Sequence, residues 1–185
     1  MSRFKSPGFF IEAGALDGFF ESNTYNLERF HGWNGILIEP IPDFFKRIKT
    51  NRPHTTAFHC ALVSANNSND SVFIQENHAF SSVVDGTEPD ENDKLNPAIA
   101  VEPRTLTSIL DEIQPNQIDL LSLDVEGYEA EVLRGLNLNR YQPRVLIIEC
   151  LDNLKKEEVE DCLKGRYKLV KQITYRDFAY ELTSS

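Results

Sequence analysis

The sequence has no uninterrupted apolar run approaching the ~20 residues that a membrane-spanning helix needs. Its opening, Met1-Ser2-Arg3-Phe4-Lys5-Ser6-Pro7, carries no apolar stretch of signal-peptide length. These two absences point to a cytoplasmic protein without a membrane partner. Cysteine is scarce: Cys60, Cys150 and Cys162 are odd in number and widely spaced, which fits neither a disulfide framework nor a clustered metal site. Cys60 and Cys150 fall inside apolar runs and read as buried core thiols. Positive charge is also short. Against 29 Asp+Glu there are 19 Lys+Arg, for a net charge of −10. Such a surface repels phosphate backbones at long range and argues against nucleic acid and anionic lipid as partners. Two nucleotide fingerprints are missing as well: no G-x-G-x-x-G follows a strand, and no Gly-Lys-Ser/Thr marks a P-loop.

What remains is an ordinary globular composition, 41% hydrophobic and 26% charged over 185 residues, the length of one domain spanning 1–185. Five short runs, Phe9 to Ala13, Ile36 to Glu39, Thr56 to Val63, Ile118 to Asp124 and Arg144 to Cys150, are almost continuously apolar. Strands covered on both faces have that pattern, as in parallel sheets. Helical patterns alternate with them over Asn23 to Phe30, Asp43 to Asn51, Thr105 to Ile113 and Glu129 to Leu136. The alternation predicts a doubly wound α/β sheet. A further helix, Asn153 to Leu163, precedes Tyr167 to Ile173, a turn near Tyr175-Arg176-Asp177, and Phe178 to Leu182. This end reads as an antiparallel hairpin on one edge of the sheet. Ser64 to Ser71 and the acidic Asp85 to Pro97 read as loops, the second either a solvated surface loop or a flap over a substrate. Phe44, Phe45 and Ile48 form an apolar helical stripe and are expected in the core, with Trp33 packed between the first helix and the second strand.

Chemistry concentrates at strand ends. Glu12-Ala13-Gly14-Ala15-Leu16-Asp17-Gly18 follows the first strand, where an open α/β sheet binds ligands at its switch point. Its glycines allow close backbone approach, while Glu12 and Asp17 would repel a pyrophosphate and suit an ammonium or sulfonium. Glu39, before Pro40, ends the second strand at the spacing of a ribose-binding acid. Asp124 and Glu126 bracket the end of another buried strand, and Glu149 ends the next. Acids gathered at one sheet edge are costly unless something is shared among them. Three explanations stand open: helix capping by Asp124 or Glu126, a divalent metal site, or a cationic cofactor with a general base. His78 is an outside candidate for acid–base work; His31 and His59 read as structural or surface residues.

Three blocks, GFFIEAGALDGFFESNTYNLE, GWNGILIEP and IDLLSLDVEGYEAEVLRGL, in that order and spacing, resemble the FkbM-type methyltransferase family across Gly8 to Glu149. The resemblance implies a Rossmann-like class I methyltransferase fold, a mostly parallel seven-stranded sheet of order 3-2-1-4-5-7-6 with the C-terminal hairpin at its edge. It implies S-adenosylmethionine as cofactor. By position, Glu12, Gly14, Asp17 and Gly18 correspond to the pocket for the amino-acid and sulfonium part, and Ser22, Asn23 and Thr24 to a segment for its carboxylate. Glu39, with Pro40, corresponds to the ribose site, Cys60 and Ala61 to the adenine edge, Asp124 to the acid facing the methyl group, and Ser82 to a serine near the site.

The expected reaction is methylation of a hydroxyl on a sugar or small natural product, by a monomer or homodimer. Asp124, then Glu126 and Glu149, are the candidate bases, and a magnesium ion on Asp124 and Glu149 is compatible with the same acids. Many relatives carry helices before the first strand. Here that strand comes almost at once, so a substrate site that is open, formed by the Asp85 to Pro97 loop, or completed by a partner chain is expected. The alternatives are a nicotinamide-dependent oxidoreductase, disfavoured by the missing fingerprint and the terminal hairpin, and a binding module that keeps the cofactor fold without turnover.

Overall fold

A computed structural model describes residues 7–75, 82–84 and 98–183. In chain order the elements are β1 (Phe9–Ala13), α1 (Tyr25–His31), β2 (Asn34–Ile38), α2 (Pro42–Asn51), β3 (Thr56–Phe58), β4 (Ala61–Leu62), β5 (Val72–Gln75), β6 (Ser82–Val84), β7 (Ala98–Val101) and β8 (Pro103–Arg104). There follow α3 (Leu106–Ile113), β9 (Leu120–Leu123), α4 (Glu129–Arg134), β10 (Val145–Glu149), α5 (Asn153–Leu163), β11 (Tyr167–Gln172) and β12 (Asp177–Leu182). Among the described residues no helix is long and apolar enough to cross a membrane.

The central sheet runs β11-β12-β10-β9-β1-β2-β3. Five successive strands, β10, β9, β1, β2 and β3, are parallel, and β12 joins β10 and β11 antiparallel. Counting only the strands of this sheet, the order is the expected 3-2-1-4-5-7-6; five short strands, β4 to β8, intervene along the chain and lie in two smaller sheets. The near-continuous apolar runs are explained by burial on both faces. Successive side chains of a strand point to opposite sides, and both sides are covered here. Ile11, Ile36 and Leu121 pack with Ile109 of α3, Val132 of α4 and Val159 of α5. Their neighbours Phe10, Leu37 and Leu120 pack on the other face with Ile48 of α2, Trp33 and, partly buried, Leu27 of α1.

One expected strand is corrected. Thr56 to Val63 does not continue as a single strand. The chain leaves the sheet edge after Phe58, and Ala61–Leu62 pairs in parallel with Pro103–Arg104 of β8. The departure buries Ala61 and Val63 in a third apolar cluster with Ile41, Val72, Ile74 and Val101. Val72 and Ile74 come from β5, the centre of an antiparallel sheet of order β6-β5-β7, whose strands the sequence pattern does not announce. The Asp85 to Pro97 loop and His78 lie outside the described residues.

Cys60 and Cys150 are buried and free, as expected, and burial pushes both thiols up to about 12. They are therefore neutral groups.

Candidate functional site

The strand order reverses between β1 and β9, and at that switch point the carboxyl ends of the parallel strands open a cleft. Two backbone turns make it. After Ala13 the chain folds sharply, with Gly14 at φ 77°; the N–H groups of Gly14 and Ala15 both donate to the Ile38 carbonyl, at 3.1 and 3.2 Å. On the neighbouring strand the Asp124 N–H donates to the Ala13 carbonyl at 3.1 Å. The turn beyond it places Glu126 at φ 53° and Gly127 at φ 90°. Glu129, almost fully buried, holds that turn: its Oε1 accepts from the Gly127 N–H at 2.9 Å and the Val125 N–H at 3.2 Å.

The cleft has a volume of ≈ 160 Å3. Its lining is apolar at Ile38, Ile41, Phe44, Leu62 and Ile74, with Cys60 and Ala61, and acidic at Glu39, Asp124, Glu126 and Glu149. Glu39 is 2% exposed. Its Oε2 accepts from the Leu16 N–H at 2.9 Å and its Oε1 from the Ile41 N–H at 2.8 Å. Burial pushes its carboxyl up to about 8 despite those two bonds, so it is largely protonated near neutral pH and becomes a charged acceptor only above about 8.

Asp124, Glu126 and Glu149 each bring a carboxylate oxygen within 4.8 Å of the others. The surrounding protein, together with Glu149, Glu126 and Glu129, pushes Asp124 up to about 8. Because the Asp124 side chain is itself open to solvent, the neighbouring carboxylates are the firmer part of that cause. Glu126 is raised to about 7, by burial and by Glu149 and Glu129, with Arg176 opposing. Arg176 Nη1 of the terminal hairpin lies 3.8 Å from Glu149 Oε1. Of the three explanations left open for these acids, capping finds no support at α4, whose N-cap residue is Tyr128 with no side-chain cap.

The structure thus brings Gly14, Glu39, Pro40, Cys60, Ala61, Asp124, Glu126 and Glu149 to one cleft. Glu12, Asp17, Gly18, Ser22, Asn23 and Thr24, also expected to touch a cofactor, do not line it. Glu12 turns inward: Ser22 Oγ donates to it at 2.8 Å, the Asn23 N–H at 2.7 Å and Thr24 Oγ1 at 2.6 Å. Ser22, Asn23 and Thr24 are thereby spent on Glu12. Ser22 Oγ also accepts from the Tyr25 N–H at 3.0 Å, and Asn23 Nδ2 donates to Ser122 Oγ at 3.0 Å. Asp17 caps its own turn, accepting from the Phe19 and Phe20 N–H groups at 2.9 and 2.8 Å. Gly18, at φ 77°, packs toward Ile48 and Arg52. Ser82 is on β6.

Sequence reasoning misses Leu16, Glu21, Phe44, Ile74 and Tyr128 as lining residues. Phe44 reads as core in the sequence; a helical stripe shows that a residue is covered, not whether protein or a cleft covers it. Tyr128 stands in the quoted DVEGYE block and is the one most open to notice.

The cleft fits an adenosyl cofactor by its donor set. A glycine turn gives close backbone approach, an acid at the end of β2 suits a diol, apolar lining suits a purine, and clustered acids suit a cation. Fold and site together define a Rossmann-like class I methyltransferase fold. The chain belongs to the FkbM methyltransferase domain family, whose model matches residues 12–178. Among solved structures it is similar to a methyltransferase FkbM from Methylobacillus flagellatus KT, with TM-score 0.56 and 13% identity over 98% of this chain and 45% of that one. It is similar also to a precorrin-6y C5,15-methyltransferase from Geobacter metallireducens GS-15, with TM-score 0.54 and 11% identity over 98% of this chain and 83% of that one. A ribosomal protein L11 methylase from Lactobacillus delbrueckii subsp. bulgaricus gives TM-score 0.51 and 9% identity over 98% and 72%. These likenesses are of fold. The chain spans under half the length of the FkbM structure. No curated protein matches it.

Proposed function

We propose that residues 1–185 form one methyltransferase domain that binds S-adenosylmethionine in this cleft and methylates a hydroxyl of a sugar or small natural product. The observation that carries the reading is the convergence of Gly14, Glu39 and the Asp124–Glu126–Glu149 cluster on one cleft at the switch point, in a chain of this family. When bound, the cofactor supplies a methyl group on a positive sulfur, which passes to the acceptor oxygen as the carbon–sulfur bond breaks and the pair returns to sulfur.

The protein's own residues do the rest. Glu39 accepts the ribose hydroxyls. Ile41, Phe44 and Ile74 take the purine out of water. The clustered acids hold the cationic end and align it, and orientation of this kind supplies roughly 7–11 kcal/mol of a barrier. Asp124 takes the acceptor's proton. Its carboxyl, pushed up to about 8, is matched to proton transfer near neutral pH.

Tyr128 also lines a second, polar groove with Asn66, Asn67, Asn69, Glu131, Arg134 and Lys155. Amides and charged groups suit a polyhydroxylated acceptor approaching past Tyr128. A net charge of −10 favours such small molecules over nucleic acid.

A magnesium ion on Asp124 and Glu149 is a second reading of the acid cluster, favoured by the 4.8 Å gathering of three hard oxygen donors. It would neutralise the acids and lower the acceptor hydroxyl's pKa. Titration with Mn2+ followed by electron paramagnetic resonance separates the two. Loss of the free-ion signal, abolished in Asp124→Asn, supports the metal; an unchanged signal leaves the shared proton.

The cofactor reading is tested by calorimetric titration with S-adenosylmethionine and S-adenosylhomocysteine, with NAD as control. Binding of the first two alone supports it; binding of NAD alone points to an oxidoreductase. Cofactor binding without methyl transfer to any hydroxyl acceptor would point to a binding module.

A further inference from the structure

The loop between β1 and α1 is fastened to a residue from another element. Arg52, at the C-terminal end of α2, is 1% exposed. Its Nε donates to Glu28 Oε2 at 2.6 Å, with Nη2 against the same oxygen. Its Nη1 donates to Thr24 Oγ1 at 3.0 Å and faces Glu12 Oε2 at 3.4 Å. The guanidinium lies 5.1 Å from the centre of the Phe10 ring and 5.9 Å from that of Tyr25. One cation thus ties β1, the loop and α1 to the end of α2.

Replacing a buried ion pair by well-packed apolar groups of similar size is often neutral or stabilising, so stability alone does not account for this one. The loop holds two non-glycine residues in the left-handed region, Leu16 at φ 47° and Glu21 at φ 54°, which L side chains occupy only when their surroundings impose it. Both line the cleft, and the Leu16 N–H is one of the two donors to Glu39.

We infer that Arg52 is a positioning residue for the cofactor cleft: acting through Glu12, Thr24 and Glu28, it holds residues 14–24 in the turns that carry Leu16 and Glu21 to the cleft wall. The inference rests on the reading of the cleft as the cofactor site.

Three variants test it: Arg52→Met, Arg52→Lys, and the double variant Arg52→Met with Glu12→Gln. Each is followed by thermal unfolding, by amide hydrogen exchange of residues 14–24 against β9 and β10, and by affinity for S-adenosylhomocysteine. Arg52→Met strands the Glu12 charge and lowers the melting temperature. The double variant removes that charge and recovers most of the loss. In the double variant the amides of residues 14–24 still exchange at least about tenfold faster than in the wild type, with β9 and β10 unchanged, and affinity falls about tenfold or more. Arg52→Lys, which keeps the charge without the fork, falls between.

If the double variant recovers stability, loop protection and affinity together, Arg52 is a charge partner only and the inference is overturned. Should Arg52→Met fail to fold, the double variant and Arg52→Lys give the same decision. Should the wild type bind no S-adenosylhomocysteine, the cofactor reading fails, and wild-type exchange in residues 14–24 of the double variant would separately overturn the latch.

Discussion

A Cβ placed on Gly14 would stand 1.6 Å from the carbonyl oxygen of Asp124. The cleft exists because β1 and β9 end in contact at this point, and no side chain fits between them. Gly14→Ala is therefore expected to destabilise the protein by about 4–5 kcal/mol or to abolish folding. Gly165→Ala is the control. Gly165 has a similar φ of 75°, but a Cβ added there would meet nothing within 4 Å, so backbone strain alone costs about 1–2 kcal/mol. Urea denaturation of the two variants checks the contrast; equal losses would contradict the close-approach account.

Stability should fall as pH rises. Asp124 is raised from 3.8 to about 8, Glu126 from 4.5 to about 7 and Glu39 from 4.5 to about 8. The folded state therefore keeps protons that the unfolded chain releases, and the slope of stability with pH is negative between those limits. The contribution is complete below the ordinary carboxylate range and is lost as pH climbs through 7 to 8. The groups that face the cluster are Glu149 and Glu129, which add to the effect, and Arg176, which opposes it. Melting temperatures between pH 5 and pH 9 should decline, and Asp124→Asn should flatten the decline. A curve that rises over this range would contradict the assignment.

Asp124→Asn should leave cofactor affinity largely in place and slow methyl transfer roughly 100- to 10,000-fold, the range for loss of a positioned base. Glu126→Gln and Glu149→Gln, each of which removes a negative charge that raises Asp124, should cost less and move the acid limb of the rate profile to lower pH. Single-turnover assays with an acceptor found by screening sugars and small polyols measure both. Full activity in Asp124→Asn would remove it as the base.

Much of this is legible in the sequence, and the exceptions share a physical cause. The strand Phe9–Ala13 has the bounds its pattern predicts, because a strand buried on both faces is almost continuously apolar, with Glu12 the exception, and the glycine turn ends it. The same reasoning puts Glu39 and Asp124 at strand ends, and the cleft lines up with them. For Glu12 the pattern gives the location but not the direction. Its side chain answers to Arg52, 40 positions away, and no local pattern encodes that partner. The contacts of Ser22, Asn23 and Thr24 with Glu12 follow from that direction. Thr56 to Val63 looks like one strand because burial is continuous across the break, while the backbone changes sheets between Phe58 and Ala61. The strands Val72–Gln75 and Ala98–Val101 pair with each other across an acidic stretch that carries no hairpin signal.

The central claim is most directly tested by isothermal titration of the wild type and of Glu39→Gln with S-adenosylhomocysteine. The account predicts micromolar binding to the wild type, weakened about 10- to 100-fold above pH 8, where Glu39 is a charged hydrogen-bond acceptor for the ribose. Wild-type affinity should also rise with pH as Glu39 ionises through about 8, a trend the variant lacks. Equal binding by both proteins, or none by a folded wild type, would contradict it.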